Sequence, residues 1–266
     1  MAKRERGLFI VAEGLDATGK GVTEDALIKY EQKEGRRVYN SIEHSITHGS
    51  IPRPKECIID GHIADTVVSA EPTWAGIGKT IREEMTSSQE QSSSLTDKIK
   101  AYSLDRRMQM ERLTIPFLEA SNNHRIIQSR CLASTLCYQG LEAQQNEEDI
   151  DKRKLILDTV RKLILNEKGN QLQLSYPPDL LIILTIPSIE EIMSRIENRR
   201  PNKDDKCIFE KYQFQKALKP FYDDPWLCHL FEERGTRVEY INAGVSVEHT
   251  RNQAIALYKD LIESKV

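Results

Sequence analysis

Cysteine is scarce in this chain and shows no pattern. There are five in 266 residues (Cys57, Cys131, Cys137, Cys207 and Cys228), an odd number without a C-x-x-C pair. That argues against a disulfide framework and fits reduced, mostly buried thiols in a cytosolic protein. Long apolar runs are missing too, and none approaches the length of a membrane span. No excess of either charge is present: the net charge is −3 and the isoelectric point about 6.1. This balance argues against nucleic acid or a membrane surface as partner, so an anionic substrate must be held by local basic residues. No internal repeat occurs. Lys3-Arg4-Glu5-Arg6 followed by Leu8–Ala12 faintly imitates a signal peptide. Its apolar core is short and is stopped by Glu13, so it reads as a first strand, and the expected location is the cytoplasm.

What is present begins at Phe9-Ile-Val-Ala-Glu-Gly-Leu-Asp-Ala-Thr-Gly-Lys-Gly-Val22. An apolar strand ends at Glu13; Gly14, Gly19 and Lys20 then fall at G-x-x-x-x-G-K spacing, ahead of a helix-prone segment (24–33). Strand, glycine loop and helix are the setting a phosphate-binding loop needs. Backbone amides turn toward phosphate oxygens, the helix N-terminus adds its dipole, and Lys20 adds a point charge. The ligand class this implies is a nucleoside triphosphate; the alternative is an ordinary glycine-rich strand-to-helix turn. The full motif carries Ser or Thr after the lysine, where a hydroxyl ligates Mg²⁺. Here that residue is Gly21.

Strand-like runs recur at Leu8–Ala12, from Arg37–Tyr39, at Thr66–Ser69, Arg125–Gln128, Leu180–Ile186 and Val238–Ile241. Helical patterns fill 24–33, 76–88, 95–119, 152–168, 188–199 and 248–264. This alternation predicts one α/β domain (1–266) with a parallel sheet covered on both faces. Ligands in such sheets bind at the C-terminal ends of the strands. Residues 40–65 hold Pro52, Pro54, His44, His48 and His62 without periodicity and read as a loop or small excursion; the histidines lack tight ligand spacing. Residues 87–94 form a polar linker, with Ser94 or Thr96 as helix cap.

A further set of residues is Tyr102-Ser-Leu-Asp-Arg106, Pro116-Phe-Leu-Glu-Ala120, and the run His124 to Gly140 containing Ser129-Arg130, Ser134 and Tyr138-Gln139-Gly140. With Phe9–Lys20, Glu71-Pro72-Thr73, Gly78-Lys79-x-Ile81-Arg82, Pro178-Asp179-Leu180, Arg195-x-x-x-Arg199 and Phe209-Glu210, the chain resembles the thymidylate kinase family. The resemblance covers most of the chain in order, except probable insertions at 40–65 and 141–176. It implies a P-loop kinase three-layer sandwich (α/β) with a mobile lid at about 195–210. It also implies ATP and Mg²⁺ as cofactors, dTMP as acceptor and a homodimer.

Residue roles follow from the resemblance beside the chemistry. Gly14, Leu15, Asp16, Ala17, Thr18, Gly19, Lys20, Gly21 and Val22 would cradle ATP, with Arg195 on the adenine or phosphate side. Tyr102 and Arg106, one helical turn apart, would stack on thymine and meet its edge. Read alone, Tyr102 is core and Arg106 a surface partner of Asp105. Arg130, at a strand's C-terminal end, would clamp the acceptor monophosphate bidentately. Asp16 would contact the acceptor sugar, and Glu71 would line the same side. Gln139 and Tyr138 would wall the base, Tyr138 reading equally well as packing. Lys20, Arg130 and Arg199 would be catalytic. The lid cluster Arg195, Arg199, Arg200 and Lys203 would deliver cations, or else be a solvated face. Because Ala17 stands where some relatives carry Arg, that burden falls on the lid.

Departures concentrate on the metal side: Gly21 lacks a hydroxyl, Ser129 replaces the Asp that usually precedes Arg130, and Ala70 stands where many relatives have Arg. No metal-ligand set is assigned; Thr18 or Thr23 are substitutes, or the nucleotide and water hold Mg²⁺. The expected activity is transfer of the ATP γ-phosphoryl to dTMP. Alternatives are another nucleoside or nucleoside monophosphate kinase, or a nucleotide-binding member without turnover.

Overall fold

A computed structural model describes residues 6–86, 93–199 and 212–264. Six parallel strands form the central sheet in the order β2-β5-β6-β1-β7-β8. They are β1 (Leu8–Gly14), β2 (Val38–Asn40), β5 (Thr66–Ala70), β6 (Arg125–Ser129), β7 (Leu180–Thr185) and β8 (Arg237–Asn242). All six runs expected from the sequence are present. The central β1 and β7 are continuous apolar runs because a strand covered on both faces has no solvent side to make polar; every residue of β1 is buried. The register pairs Ala12 with Ser129 and Gly14 with Leu184. The glycine loop and the β6–helix junction therefore leave the same edge of the sheet.

Two groups of helices cover this sheet. In one, α1 (Lys20–Lys33) packs on α12 (Val247–Glu263). The other is α4 (Leu95–Gln109), α6 (Leu132–Gln144), α7 (Ile150–Asn166), α8 (Lys168–Ser175) and α10 (Tyr212–Tyr222). Between 76 and 120 the expected helices are interrupted: α3 (Gly76–Thr80) runs into a π turn at 81–85. Likewise α4 passes through a π turn at 110–114 into α5 (Ile115–Ala120). Ser94 is the cap, accepting from the Asp97 amide at 3.1 Å.

The stretch 40–65, expected as a loop, is more ordered than that. Asn40 accepts from the Ile42 and Glu43 amides and starts α2 (Ser41–His48). A short antiparallel pair follows, β3 (Ile58–Ile59) with β4 (His62–Ile63). His44 and His48 stack at 4.3 Å, and Tyr39 Oη pairs with His44 Nδ1 at 2.7 Å. Among the described residues no group of three or more His, Cys, Asp or Glu could hold a metal. The tract 141–176 carries α7 and α8, which close the sheet's second helix layer. Gly169 lets α8 sit directly on α4; an added Cβ there would meet Ser103 O at 1.8 Å. The remaining helices are α9 (Ile189–Arg199) and α11 (Pro225–Glu232).

At the N-terminal edge of the sheet one wholly buried carboxylate, Glu31, ties four elements together. It accepts from Arg36 Nε at 2.7 Å, Arg125 at 2.8 Å, Tyr258 Oη at 2.9 Å and the Thr66 hydroxyl. Removing it strands two guanidinium groups against the core. Breaking a buried pair by deleting one partner costs on the order of 3 kcal/mol. Glu31→Leu should lower the urea midpoint accordingly, while leaving the glycine loop, at the opposite edge, unchanged. A midpoint shift below about 1 kcal/mol equivalent would show that the two arginines find other partners.

Candidate active site

The glycine loop leaves β1 through Gly14 (φ 132°) and reaches α1 through Gly19 (φ 104°). A side chain on Gly14 would meet Leu184 O at 2.4 Å, so β7 itself requires glycine there. Ala17 also takes a left-handed conformation (φ 58°). Thr18 donates its hydroxyl to Leu15 O at 2.8 Å, so it serves the loop; Thr23 is wholly buried. Gly21 has open space around its Cβ position and no left-handed φ. Lys20 Nζ donates to Gly14 O at 2.9 Å and to Leu15 O at 2.6 Å, curling back over the loop. Burial, and next the nearby Arg130, push Lys20 down to about 7 against the pull of Asp16, Glu13 and Glu24.

Across the loop stands Arg130, between β6 and α6, itself left-handed (φ 64°). The turn is imposed by Glu13. Wholly buried at the end of β1, Glu13 accepts from the Cys131 amide at 2.7 Å and the Ser134 amide at 3.0 Å. It also takes the Ser134 hydroxyl at 2.8 Å and Tyr222 Oη at 3.1 Å. Arg130 then pairs with Asp16, donates to Ser134 Oγ at 3.0 Å and lies 5.2 Å from the Tyr138 ring centre. Asp16 further accepts from Tyr138 Oη at 3.0 Å and Gln215 at 3.2 Å. Burial works to raise the Asp16 carboxyl, but Arg130, then Lys20 and these hydrogen bonds, hold it below its usual range. Val22 is half-buried on the first turn of α1. The structure thus brings Asp16, Lys20, Arg130 and Tyr138 together.

Arg106 does not stand at an open edge. It is 1% exposed and its donors are engaged: Nε meets Glu71 at 2.8 Å, one amino group meets Glu71 at 2.7 Å and Thr135 at 3.0 Å, and the other meets Asn170. Nor is it a surface partner of Asp105, which instead accepts from Thr73 N at 2.7 Å and Thr73 Oγ1 at 2.6 Å. Glu71 also takes Gln128 at 3.1 Å and Gln173 at 3.3 Å, and burial pushes its carboxyl up to about 7 against Arg106. Tyr102 is half-buried on α4, within electrostatic reach of Arg82. Arg82 lies 4.2 Å from the Trp74 ring centre. Gln139 is 1% exposed, and neither its Nε2 nor its Oε1 has a protein partner. Arg195, on α9, donates to Glu191 at 2.6 Å and to Ala243 O at 2.9 Å. Ala243 Cβ lies 3.6 Å from the Cβ position of Gly19, which puts Arg195 on the loop side of the sheet. The Arg199 side chain, and Arg200, Lys203, Phe209 and Glu210, lie outside the described residues.

The family model described as thymidylate kinase matches residues 55–253, most of the chain. The chain belongs to the thymidylate kinase family. The matched span leaves out the glycine loop, but similarity to individual relatives extends through it. A "Probable thymidylate kinase" of Thermococcus kodakarensis is 25% identical over 261 residues, 96% of this chain and 98% of its own length. Thymidylate kinases of Parasynechococcus marenigrum (26% identical, 71% of this chain and 72% of the relative) and Prochlorococcus marinus strain NATL2A (28% identical, 79% of each) are also similar. The family's enzymes are nucleoside monophosphate kinases.

Within this family frame the sequence reading passes over Glu13, Gln128, Asn170, Gln173 and Gln215. Glu13 and Gln128 each carry a signal, since a polar residue ends an otherwise apolar strand run. Asn170 and Gln173 carry none, because Arg106 and Glu71, which they meet, lie 64 and 102 residues away. A consequence for Lys20 is measurable. With its pKa near 7 in the free protein it is mostly neutral at pH 8, and a bound phosphate returns it toward its usual value. Metal-free ADP binding at pH 8 should take up close to one proton, read as a buffer-dependent calorimetric enthalpy, and Lys20→Met should abolish that dependence. Buffer-independent enthalpy in the parent protein would mean Lys20 is charged before the ligand arrives.

Proposed function

We propose that this protein transfers the γ-phosphoryl group of ATP to dTMP, giving dTDP. The observation that carries the reading is the convergence of Lys20 and Arg130 on Asp16 at one edge of the sheet, in a chain of this family. Two basic side chains stand close together, Arg130 paired with Asp16 and Lys20 folded onto the loop carbonyls, and phosphate oxygens can replace both sets of partners. The loop amides from Gly14 to Val22 and Lys20 would cradle the donor phosphates. Arg130 would clamp the acceptor monophosphate, with Ser134 fixing its fork. Once Arg130 turns to the phosphate, Asp16 is freed to accept from the acceptor sugar.

For the base, Tyr102 supplies a stacking ring, and Gln139 supplies an amide whose donor and acceptor are both unpaired. Gln139 lies one turn beyond Thr135, which touches Arg106, so both face the same side of α6. Arg106 reaches the base only by exchanging Asn170 or Thr135 for it; otherwise it holds Glu71 in place. Arg195 and Arg199 flank the donor. Mg²⁺ belongs to the same reading: when bound it would supply positive charge to the phosphates beside Lys20 and Arg130. Glycine at position 21 and the engaged Thr18 leave it held mainly by the nucleotide and water. Exposed Leu104 and Met108, one turn apart on α4, support a homodimer. No described helix is long and apolar enough to cross a membrane, and the described cysteines are free, which supports a cytoplasmic site of action.

A panel of deoxynucleoside monophosphates and nucleosides with Mg²⁺ and ATP tests this directly, with dTMP expected to drive the fastest ATP consumption. Lys20→Ala should lower the rate on the order of 10²-fold or more. Arg130→Lys, which replaces a fork by a point charge, should raise KM for dTMP while leaving ATP binding nearly unchanged. Consumption of ATP independent of every monophosphate, or a rate indifferent to Lys20→Ala, would overturn the reading.

A further inference from the structure

We propose that Glu24 is the positioning carboxylate for the metal–nucleotide complex, acting from α1 beside Ser129. This assignment rests on the nucleotide-binding reading above and goes beyond it. Glu24 lies four residues after Lys20, so both side chains leave the same face of α1. It stands beside the Ser129 hydroxyl at the C-terminal end of β6, within the electrostatic reach of Lys20 and Arg130.

Its surroundings satisfy it only in part: the Ser129 hydroxyl, Lys20 and Arg130 favour the carboxylate, while one oxygen is left over. Glu24 Oε1 is buried and accepts no hydrogen bond from the protein, and burial raises the carboxyl above its ordinary value. A buried acceptor without a donor is costly, so the free protein holds this oxygen in a position that only an added group satisfies. The other carboxylates around the loop are committed. Glu13 is filled by Cys131, Ser134 and Tyr222, and Asp16 by Arg130, Tyr138 and Gln215. Thr18 is turned to Leu15 O. Three residues before Glu24, Gly21 has open space where a side chain would stand. The donor set suits Mg²⁺, which keeps several waters and is held by one or two carboxylates together with substrate phosphates. Glu24 and Ser129 together offer one carboxylate and one hydroxyl facing the loop.

The test separates metal binding from nucleotide binding. Mg²⁺ is titrated calorimetrically into the ADP-saturated protein, and ADP alone is titrated in EDTA, for the parent chain, Glu24→Gln, Glu24→Asp and Glu24→Gln/Ser129→Asp. Glu24→Gln should weaken Mg²⁺ binding about tenfold, the low end of losses at groups that support a metal, and change metal-free ADP affinity less than twofold. The Mg²⁺ concentration giving half-maximal ATP consumption should rise in parallel. Adding Ser129→Asp should restore most of the loss by returning a carboxylate from the β6 side, and Glu24→Asp should fall between. Equal Mg²⁺ affinity in Glu24→Gln overturns the assignment, as does an equal loss of ADP affinity in EDTA, which marks a role in loop structure only. If Glu24→Gln melts well below the parent, Glu24→Asp, which keeps the charge, decides between these outcomes. A parent protein that binds neither ADP nor ATP would instead sink the nucleotide reading itself.

Discussion

The buried carboxylate of Glu13 is the interaction on which the rest of the site depends. It sits wholly desolvated at the end of the central strand, one residue before the glycine loop, and it caps the start of α6 by accepting from the amides of Cys131 and Ser134. A negative charge at a helix N-terminus is favoured by the dipole and by the unsatisfied amides there. Because both amides converge on one carboxylate, the chain must turn sharply between β6 and α6. Arg130 makes that turn in a left-handed conformation that arginine adopts rarely. The same carboxylate takes Tyr222 from α10, so a third segment is registered against the loop. Donor loop and anion clamp are thus referenced to one atom group, not to each other through flexible side chains.

From this follows the electrostatics of the free protein. Lys20 and Arg130 are brought close, and each is partnered from within the protein. Lys20 folds onto the Gly14 and Leu15 carbonyls, while Arg130 takes Asp16. The partners are unequal. A carboxylate satisfies a guanidinium well, whereas two carbonyl dipoles do not offset the burial of an ammonium beside another cation, and the lysine proton is loosened. On the proposed reading a polyphosphate would therefore gain more at Lys20 than at Arg130, where Asp16 must first be displaced, and that exchange of one anion for another would free Asp16 for a second contact.

Long-range polar pairing marks the boundary of what sequence shows. The six strands are readable because a parallel sheet buried on both faces leaves continuous apolar runs, Leu180–Ile186 most plainly. The loop and Arg130 are readable because glycine spacing and strand-end position are local. Residues 40–65 look irregular because α2 is short and amphipathic only over two turns, although Asn40-Ser-Ile-Glu43 carries a cap that could have marked it. The tract 141–176 reads as an insertion because the family resemblance skips it. Its functional content is Asn170 and Gln173, whose partners lie on α4 and beside β5 and become neighbours only when Gly169 lets α8 settle on α4. Arg106 shows the same limit. Helical spacing correctly puts it and Tyr102 on one face, but spacing is silent on Glu71, Thr135 and Asn170, which surround its guanidinium.

The metal side of the site shows that a chemical requirement fixes where a group stands, not which strand or helix supplies it. Gly21 costs the loop a hydroxyl yet leaves its amide at the start of α1, and amides with the helix dipole supply most of the anion attraction there. Ser129 removes a negative charge from the end of β6. An ion accompanied by phosphate oxygens and water needs an anionic oxygen at the right depth more than a particular backbone behind it. Helix α1 can provide that depth because its first turn is anchored by Gly19 and its body packs on α12 and β6. A residue one turn past Lys20 is then held about as rigidly as a strand end would hold it. On the proposed reading, Glu24 and Ser129 exchange the usual order of carboxylate and hydroxyl across the site, and the charge facing the phosphates is conserved while its source moves from sheet to helix.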